Sequence, residues 1–540
     1  MKELEQIIVF NNIKLPIDAS VQEAFSVALR KLRKISAEPN GEPFVFRRSI
    51  DARHKDDIKF VYSIAVRVNS SNVTERDLSL VDSVIIEQAK PEIIFGTAEL
   101  EAPPIVVGSG PCGLFSALLL AELGYDPIIL ERGGSVSERI SAVDEFIKTK
   151  RLNTRTNIQY GAGGAGTFSD GKLVTRINDP LTGYVLDKLI EFGAPESIRY
   201  IAKPHVGTDI LSVVVDRILS RIIQLGGRVE YNTTFLYSRH SFGRISSVIT
   251  DKGKFPAGAL ILAIGHSARD TYRTLIDEGL SIEAKSFSVG MRIEHLAEDI
   301  DRSMYGNFAG HPSLGHAEYN LSYNTKVRGI YTFCMCPGGE VVAAASEDGG
   351  LVVNGMSYNS RSGKNSNSAV VCSIFKEDYG STPTAAIDFQ REIERSAYIA
   401  GGGNYSAPII TVGDFLSDRL SHEPSRITPT YMGGTNVKLA RPDQYLPKVV
   451  TDGIRGALTY FDKRISGFAA DDAILCGAET RTSAPIRILR DPITRLATGY
   501  TNLYPAGEGA GYAGGITSAA IDGIKSALAL IRVYKPKSGR

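Results

Sequence analysis

The sequence predicts an α/β protein in three parts: a parallel-sheet α/β unit, a β-rich α+β insertion within it, and a small separate α/β unit in front. Three observations carry this. Residues 104–131 read as strand, glycine turn, helix and strand; residues 287–346 are dominated by strand patterns; and residues 1–90 hold one amphipathic helix among short strand-like runs. The expected division is 1–95, 96–280, 281–470 and 471–540, the second and fourth parts belonging to one unit.

Composition narrows the classes. Lysine and arginine total 61 against 60 acids, so no global charge favours nucleic acid or an anionic membrane as partner. The chain starts with charged residues where a secretory leader needs an apolar core, and no run reaches the roughly 18 apolar residues of a membrane span. A cytoplasmic protein is the expectation. The five cysteines form neither a zinc-type pair of pairs nor a Cys-x-x-Cys, which argues against a disulfide framework and a metal site.

In the first unit, Ser20-x-x-Glu23 is a capping box, and Val21, Ala24, Phe25, Ala28, Leu29 and Leu32 follow at helical spacing. Strands are expected at 7–10, 44–48 and 60–66. The basic stretch 47–55 between the last two reads better as a solvated rim than as a phosphate or partner contact. Pro91, Pro103 and Pro104 mark the linker.

The second unit opens with the β-branched run 105–107, then Gly108-x-Gly110-x-x-Gly113, then a helix that Gly124 ends. A second apolar run, 128–130, leads to Glu131, about twenty residues past the glycines, which completes the dinucleotide-binding fingerprint. Gly108 permits the turn, Gly110 lets a pyrophosphate approach the backbone, and Gly113 lets the helix pack close to the strand. Pro111 loses no helix hydrogen bond in the first turn. The helix start offers free N–H groups and a positive dipole end to phosphate. Further on, the loop from Gly161 to Lys172 is the most glycine-dense in the chain and suits backbone contact with a flat or anionic ligand.

A helix over about 210–225 precedes a β-meander, 229–236, 245–250 and 259–264, the last strand ending at Gly265. The insertion then carries strands over 287–295, 328–336 and 341–346, a helix from Thr382-Pro383 stopped by three glycines at 401–403, and a helix over 446–465. A strand at 473–476, the turn Tyr504-Pro505-Ala506-Gly507-Glu508, Gly515 and a final helix over 516–533 are expected to return to the parallel-sheet unit.

The fingerprint, the run ending at Gly265 and the late Gly507-Glu508 turn together resemble the Rossmann-type FAD-binding fold of the glutathione-reductase-like flavoproteins. More narrowly, residues 163–173, 204–209, 333–339, 354–357 and 479–487 resemble an uncharacterised bacterial FAD-dependent dehydrogenase family with a small N-terminal α/β domain. The resemblance implies FAD and a hydride transfer between flavin and a small organic substrate. It places the pyrophosphate on Gly108, Gly110 and Gly113, the adenosine ribose on Glu131, and the flavin beside Gly163, Gly164, Ala165 and Gly166, with Pro111, Cys112 and Arg132 also among the cofactor-binding residues. Gly265, Gly507, Glu508, Gly515 and Ile516 complete the implied cofactor set, with the final helix start stabilising negative charge on the reduced ring. No second glycine fingerprint follows a strand, so NADH or NADPH is expected as a transient donor if at all. The alternative is a non-catalytic flavin sensor or assembly factor whose N-terminal domain binds a partner.

Candidates for substrate chemistry are Lys172, His205, His266, Arg292, His295 and Arg481. Arg292 and Arg481 could grip an anion bidentately, and the histidines could exchange a proton. Arg292 and Glu294 are two apart on a strand and share a face, where an ion pair is the competing reading. Cys334 and Cys336 likewise share a face; a redox dithiol is weighed against ordinary core cysteines, and the core reading, with a dispensable pair, is favoured.

Overall fold

The computed structural model describes residues 6–69, 73–86, 90–175, 177–421 and 423–537. Residues 1–5, part of the charged start behind the cytoplasmic expectation, lie outside these. No helix among the described residues is long and apolar enough to cross a membrane.

The N-terminal sheet has the order Phe44–Asp51, Lys59–Val68, Gln6–Pro16, Ser83–Ile86, all antiparallel. Across it lies helix Val21–Lys34, burying Ala24, Ala28 and Leu32 at spacings of four. The capping box forms, the Ser20 N–H donating to Glu23 at 3.1 Å. The basic rim is partly used within the chain. The Arg48 N–H donates to the Tyr200 carbonyl at 2.7 Å, the Ala202 N–H donates to that of Arg48 at 2.9 Å, and Arg53 binds Asp51 at 2.7 Å.

The parallel sheet runs Leu503–Pro505, Ala259–Leu262, Pro104–Val107, Ile128–Leu130, Arg228–Glu230. Its three middle strands are wholly buried, which is why each reads as an unbroken apolar run. Helices Pro111–Glu122 and Ile516–Ile531 pack on each other so closely that a Cβ at Gly523 would lie 2.1 Å from the Cys112 carbonyl oxygen. The expected meander is split: Arg228–Glu230 and Ala259–Leu262 join the parallel sheet, while Phe235–Ser241, Arg244–Thr250 and Gly253–Pro256 form their own antiparallel sheet. Short apolar runs carry no mark of which neighbour they pair with.

A seven-stranded sheet covers the carboxyl ends of the parallel strands. Its order is Ser322–Asn324, Gly329–Cys336, Asn365–Ile374, Phe287–Leu296, Ile474–Glu479, Ala407–Thr411, Val437–Leu439. This corrects the expected place of the strand at 473–476. It pairs antiparallel with Phe287–Leu296 and with Ala407–Thr411, so it belongs to the covering sheet and not to the parallel one. The return to the parallel sheet comes only at Leu503–Pro505.

Candidate cofactor and active site

A cavity of about 340 Å³ begins over the fingerprint, with Gly108, Gly110 and Glu131 in its lining, and ends against Phe333, Cys334, Asn354 and Glu479 of the covering strands and turns. At the first end the backbone does the work. Gly108 has φ +95°, and a Cβ there would meet the Ala263 carbonyl at 2.4 Å; a Cβ on Gly113 would sit 1.9 Å from the Gly108 oxygen. A Cβ on Gly110 would instead have only the Gly164 Cα, at 3.8 Å, within contact range, so a side chain there would occupy the cavity itself. Helix Pro111–Glu122 starts at Gly110 and helix Ile516–Ile531 at Gly515, both without a side-chain cap, and both starts line the cavity. Two open helix N-termini and a glycine-lined floor fit an elongated anionic dinucleotide.

Glu131 is 5 % exposed, and its carboxylate is already a hub. One oxygen accepts from the Ser109 N–H at 3.0 Å and hydroxyl at 2.6 Å, the other from the N–H groups of Gly133 at 2.9 Å and Gly161 at 3.0 Å. It ties together the three loops that converge on the cavity. Arg132 donates to Asp270 at 2.8 Å and stacks 4.6 Å from the Tyr160 ring.

The glycine loop crosses the two helix starts. Gly164 has φ +64° and lies against Gly110; Gly166 lies against Ile516; Gly164, Ala165 and Gly166 line the cavity, while Gly163 packs inward on Thr167 and Val215. Arg139, fully buried, fixes this loop by donating to the carbonyls of Asn157, Ala162 and Gly164 at 2.8 Å and Ile158 at 2.5 Å. Gly507 does not line the cavity. Its N–H donates to Asp522 at 2.7 Å, and Arg490 and Arg495 bind the same carboxylate, which fixes the turn that brings Glu508 to the cavity. Burial raises the Glu508 carboxyl to about 7, against the pull of Lys285.

Of the substrate candidates, Lys172, His266 and Arg481 line the cavity. Lys172 stands 3.6 Å from Glu318 and 4.0 Å from Asp170, longer than hydrogen bonds. His266 Nδ1 is 2.8 Å from the Ser267 hydroxyl, and burial, with Arg481 and Arg269 beside it, lowers the ring to about 3. Arg481 is spent inside the protein. It donates to Glu394 at 3.1 and 2.9 Å and to Ser267 at 3.0 Å, and it also binds Ser346. Glu394 also takes Arg269 at 2.7 and 2.6 Å; burial alone would raise this carboxyl, but the two guanidiniums hold it far below its ordinary value.

Three candidates are corrected. Arg292 is fully buried and has no fork to offer a substrate: it donates to Glu479 at 3.0 and 2.7 Å, Asn367 at 2.8 Å and the Cys334 carbonyl at 2.5 Å. Its ion-pair partner is Glu479, not Glu294, whose oxygens accept from Asn365 and Thr430. His295 turns away, its Nε2 2.7 Å from the Phe468 carbonyl, and lies outside the cavity lining. His205 is also off the lining, bridged to Lys172 through the backbone; burial, then Arg361, lowers it to about 4. The shared-face reading of Cys334 and Cys336 fails as well, because the strand slips register between Phe333 and Cys336.

Sequence reasoning missed Arg139, Asp522, Asn354 and Thr482, of which the last two line the cavity. Asp522 carried a signal, the one acid in the mostly apolar helix Ile516–Ile531. Arg139 carried none, since its helix Val136–Thr149 is polar on most of its surface.

The parallel strand order, the glycine turns and the two open helix starts define a Rossmann-type dinucleotide-binding α/β protein. Residues 286–482 match the family described as FAD-dependent protein, C-terminal domain-like, and residues 7–67 match a domain of unknown function. An uncharacterized protein of Clostridium beijerinckii is 45 % identical over 532 residues, covering 97 % of this chain and 98 % of that protein. The chain belongs to this uncharacterised FAD-dependent protein family, and FAD is its cofactor. Solved structures that match parts of the chain include glycine oxidase from Bacillus cereus, at 10 % identity over 81 % of this chain and 99 % of that one with a TM-score of 0.35. Another is L-amino acid deaminase from Proteus vulgaris, at 12 % identity over 83 % and 98 % with a TM-score of 0.33.

Proposed function

We propose that the protein is an FAD-dependent oxidoreductase that moves a hydride between the flavin and a small organic substrate bearing an anionic group. The observation that carries this reading is the single cavity that joins the glycine-built end to a polar wall of Lys172, Asn354, Glu479 and Thr482. FAD supplies the two-electron chemistry, and the chain's own residues bind, orient and move protons. In this reading the starts of helices Pro111–Glu122 and Ile516–Ile531 neutralise the pyrophosphate and the reduced ring. Glu131 holds the ribose end by fixing the loops around it.

Lys172 faces the cavity at 3.6 Å from Glu318 and 4.0 Å from Asp170, beyond hydrogen-bond reach of either carboxylate, and it takes the substrate's anionic group. Glu508, with its carboxyl near 7, holds or releases a proton at neutral pH. The covering sheet, through the strand Ile474–Glu479 to Thr482, excludes water from the reacting end. NADH and NADPH act as slow donors only, for want of a second dinucleotide fingerprint.

The test is anaerobic flavin bleaching by a panel of carboxylate-bearing amines and alcohols, with neutral analogues, NADH and NADPH included. One or more anionic compounds should bleach the flavin, and Lys172→Met should raise the concentration needed about tenfold with FAD content unchanged. Bleaching by neutral analogues alone, or fast saturation at micromolar nicotinamide, would overturn the proposal.

A further inference from the structure

The strand Gly329–Cys336 loses its alternation where it meets the cavity. Its pairing with Asn365–Ile374 slips between Phe333 and Cys336, and Cys334 has φ +45°, a left-handed conformation that residues with a Cβ seldom adopt. The slip stacks the two cysteines in depth. Cys334 lines the cavity; Cys336 lies behind it at 0 % exposure, its thiol donating to the Cys334 carbonyl at 3.4 Å. Arg292 spans both, 2.5 Å from the Cys334 carbonyl and 3.8 Å from the Cys336 sulfur. A Cβ on Gly355 would come 2.4 Å from that guanidinium, so the strand Val353–Met356 beside it needs glycine to admit the clamp. The Cys336 thiol, and after burial's opposing effect Arg292 and Lys172, pull the Cys334 thiol below its ordinary value. The same contact, with burial, pushes Cys336 up. One sulfur therefore faces the cavity as the readier thiolate while the other waits behind it protonated, the arrangement that thiol–disulfide chemistry uses. Cys112, Cys372 and Cys476 have burial as the leading effect, and it raises each of them.

We propose that Cys334 and Cys336 are a redox-active dithiol that exchanges two electrons with FAD across this cavity. In one direction the two S–H bonds break and one S–S bond forms, and the two electrons and two protons released convert FAD to FADH2. In the other, FADH2 is oxidised to FAD as the S–S bond is cleaved to two thiols. The proposal rests on FAD binding and does not depend on the organic substrate suggested above.

The experiment uses the purified holoprotein, oxidised with diamide and freed of reagent. Two electrons per FAD are then delivered anaerobically to the flavin by photoreduction. The expected result is that the flavin absorption recovers while two new maleimide-reactive thiols arise, mapped by mass spectrometry to Cys334 and Cys336, and that complete bleaching takes four electrons per FAD. Cys336→Ser should bleach fully with two. Cys334→Ser, which leaves the buried position untouched, should do the same and serves if the first variant does not fold. Full bleaching of the wild-type protein at two electrons with no new thiol would overturn the proposal.

Discussion

The two ends of the cavity are built by opposite means. At the fingerprint end the lining is backbone: glycines whose missing Cβ atoms make room, and two helix starts without side-chain caps. At the covered end they are side chains from distant parts of the chain, held by buried ion pairs such as Arg292 with Glu479 and Arg269 and Arg481 with Glu394. Each backbone piece of the first end, a glycine turn or a helix start, is encoded within its own short stretch, although the pieces come from several parts of the chain. A side-chain site of this kind exists only once strands separated by nearly two hundred residues have paired.

The contrast makes the fingerprint end the place where a single added side chain does most harm to the cofactor. Gly110→Val puts its side chain where the cavity has open space, so the purified protein should be colourless with its fold retained by circular dichroism. FAD retained at wild-type occupancy would break the distinction drawn between the two ends.

At the covered end the expected damage is to stability. Arg292→Lys keeps the charge but loses the planar fork and leaves Glu479 and the Cys334 carbonyl short of donors in a buried place, a change of the kind that costs about 1–3 kcal/mol. Thermal melting of the FAD-loaded protein should fall accordingly. A melting temperature within a degree or so of wild type would mean that the buried pair is not what holds the sheet over the cavity.

Glu131 sits between the two cases, a side chain that organises backbone. Glu131→Ala should weaken FAD by about 1–3 kcal/mol, measured by equilibrium titration of apoprotein, because four donors lose one acceptor. An unchanged dissociation constant would show that the loops stand without it.

A further expected effect concerns pH. His266 and His205 are lowered on folding from 6.5 to about 3 and about 4, so between those values and 6.5 the unfolded chain binds more protons than the folded one. Stability is then fully present above 6.5 and is lost as pH falls through this window. Melting temperature followed from pH 7 to 4 should decline less steeply in His266→Gln than in wild type. An equal or steeper slope would show that the ring is already solvated and protonated in the folded state.

The sequence by itself determined the fingerprint turn, its helix and acid, the N-terminal capping box and helix, and the late turn leading into the final helix. Each of these carries its signal within a short stretch, where glycine placement and apolar period leave a direct trace. Only the tertiary structure decided that Ile474–Glu479 joins the covering sheet, that Arg292 turns inward to Glu479, and that Cys334 reaches the cavity through a slip in register. The reason is physical: an apolar strand fits either sheet by its own pattern, and a buried arginine goes wherever a carboxylate waits, so pairing across the fold makes the choice.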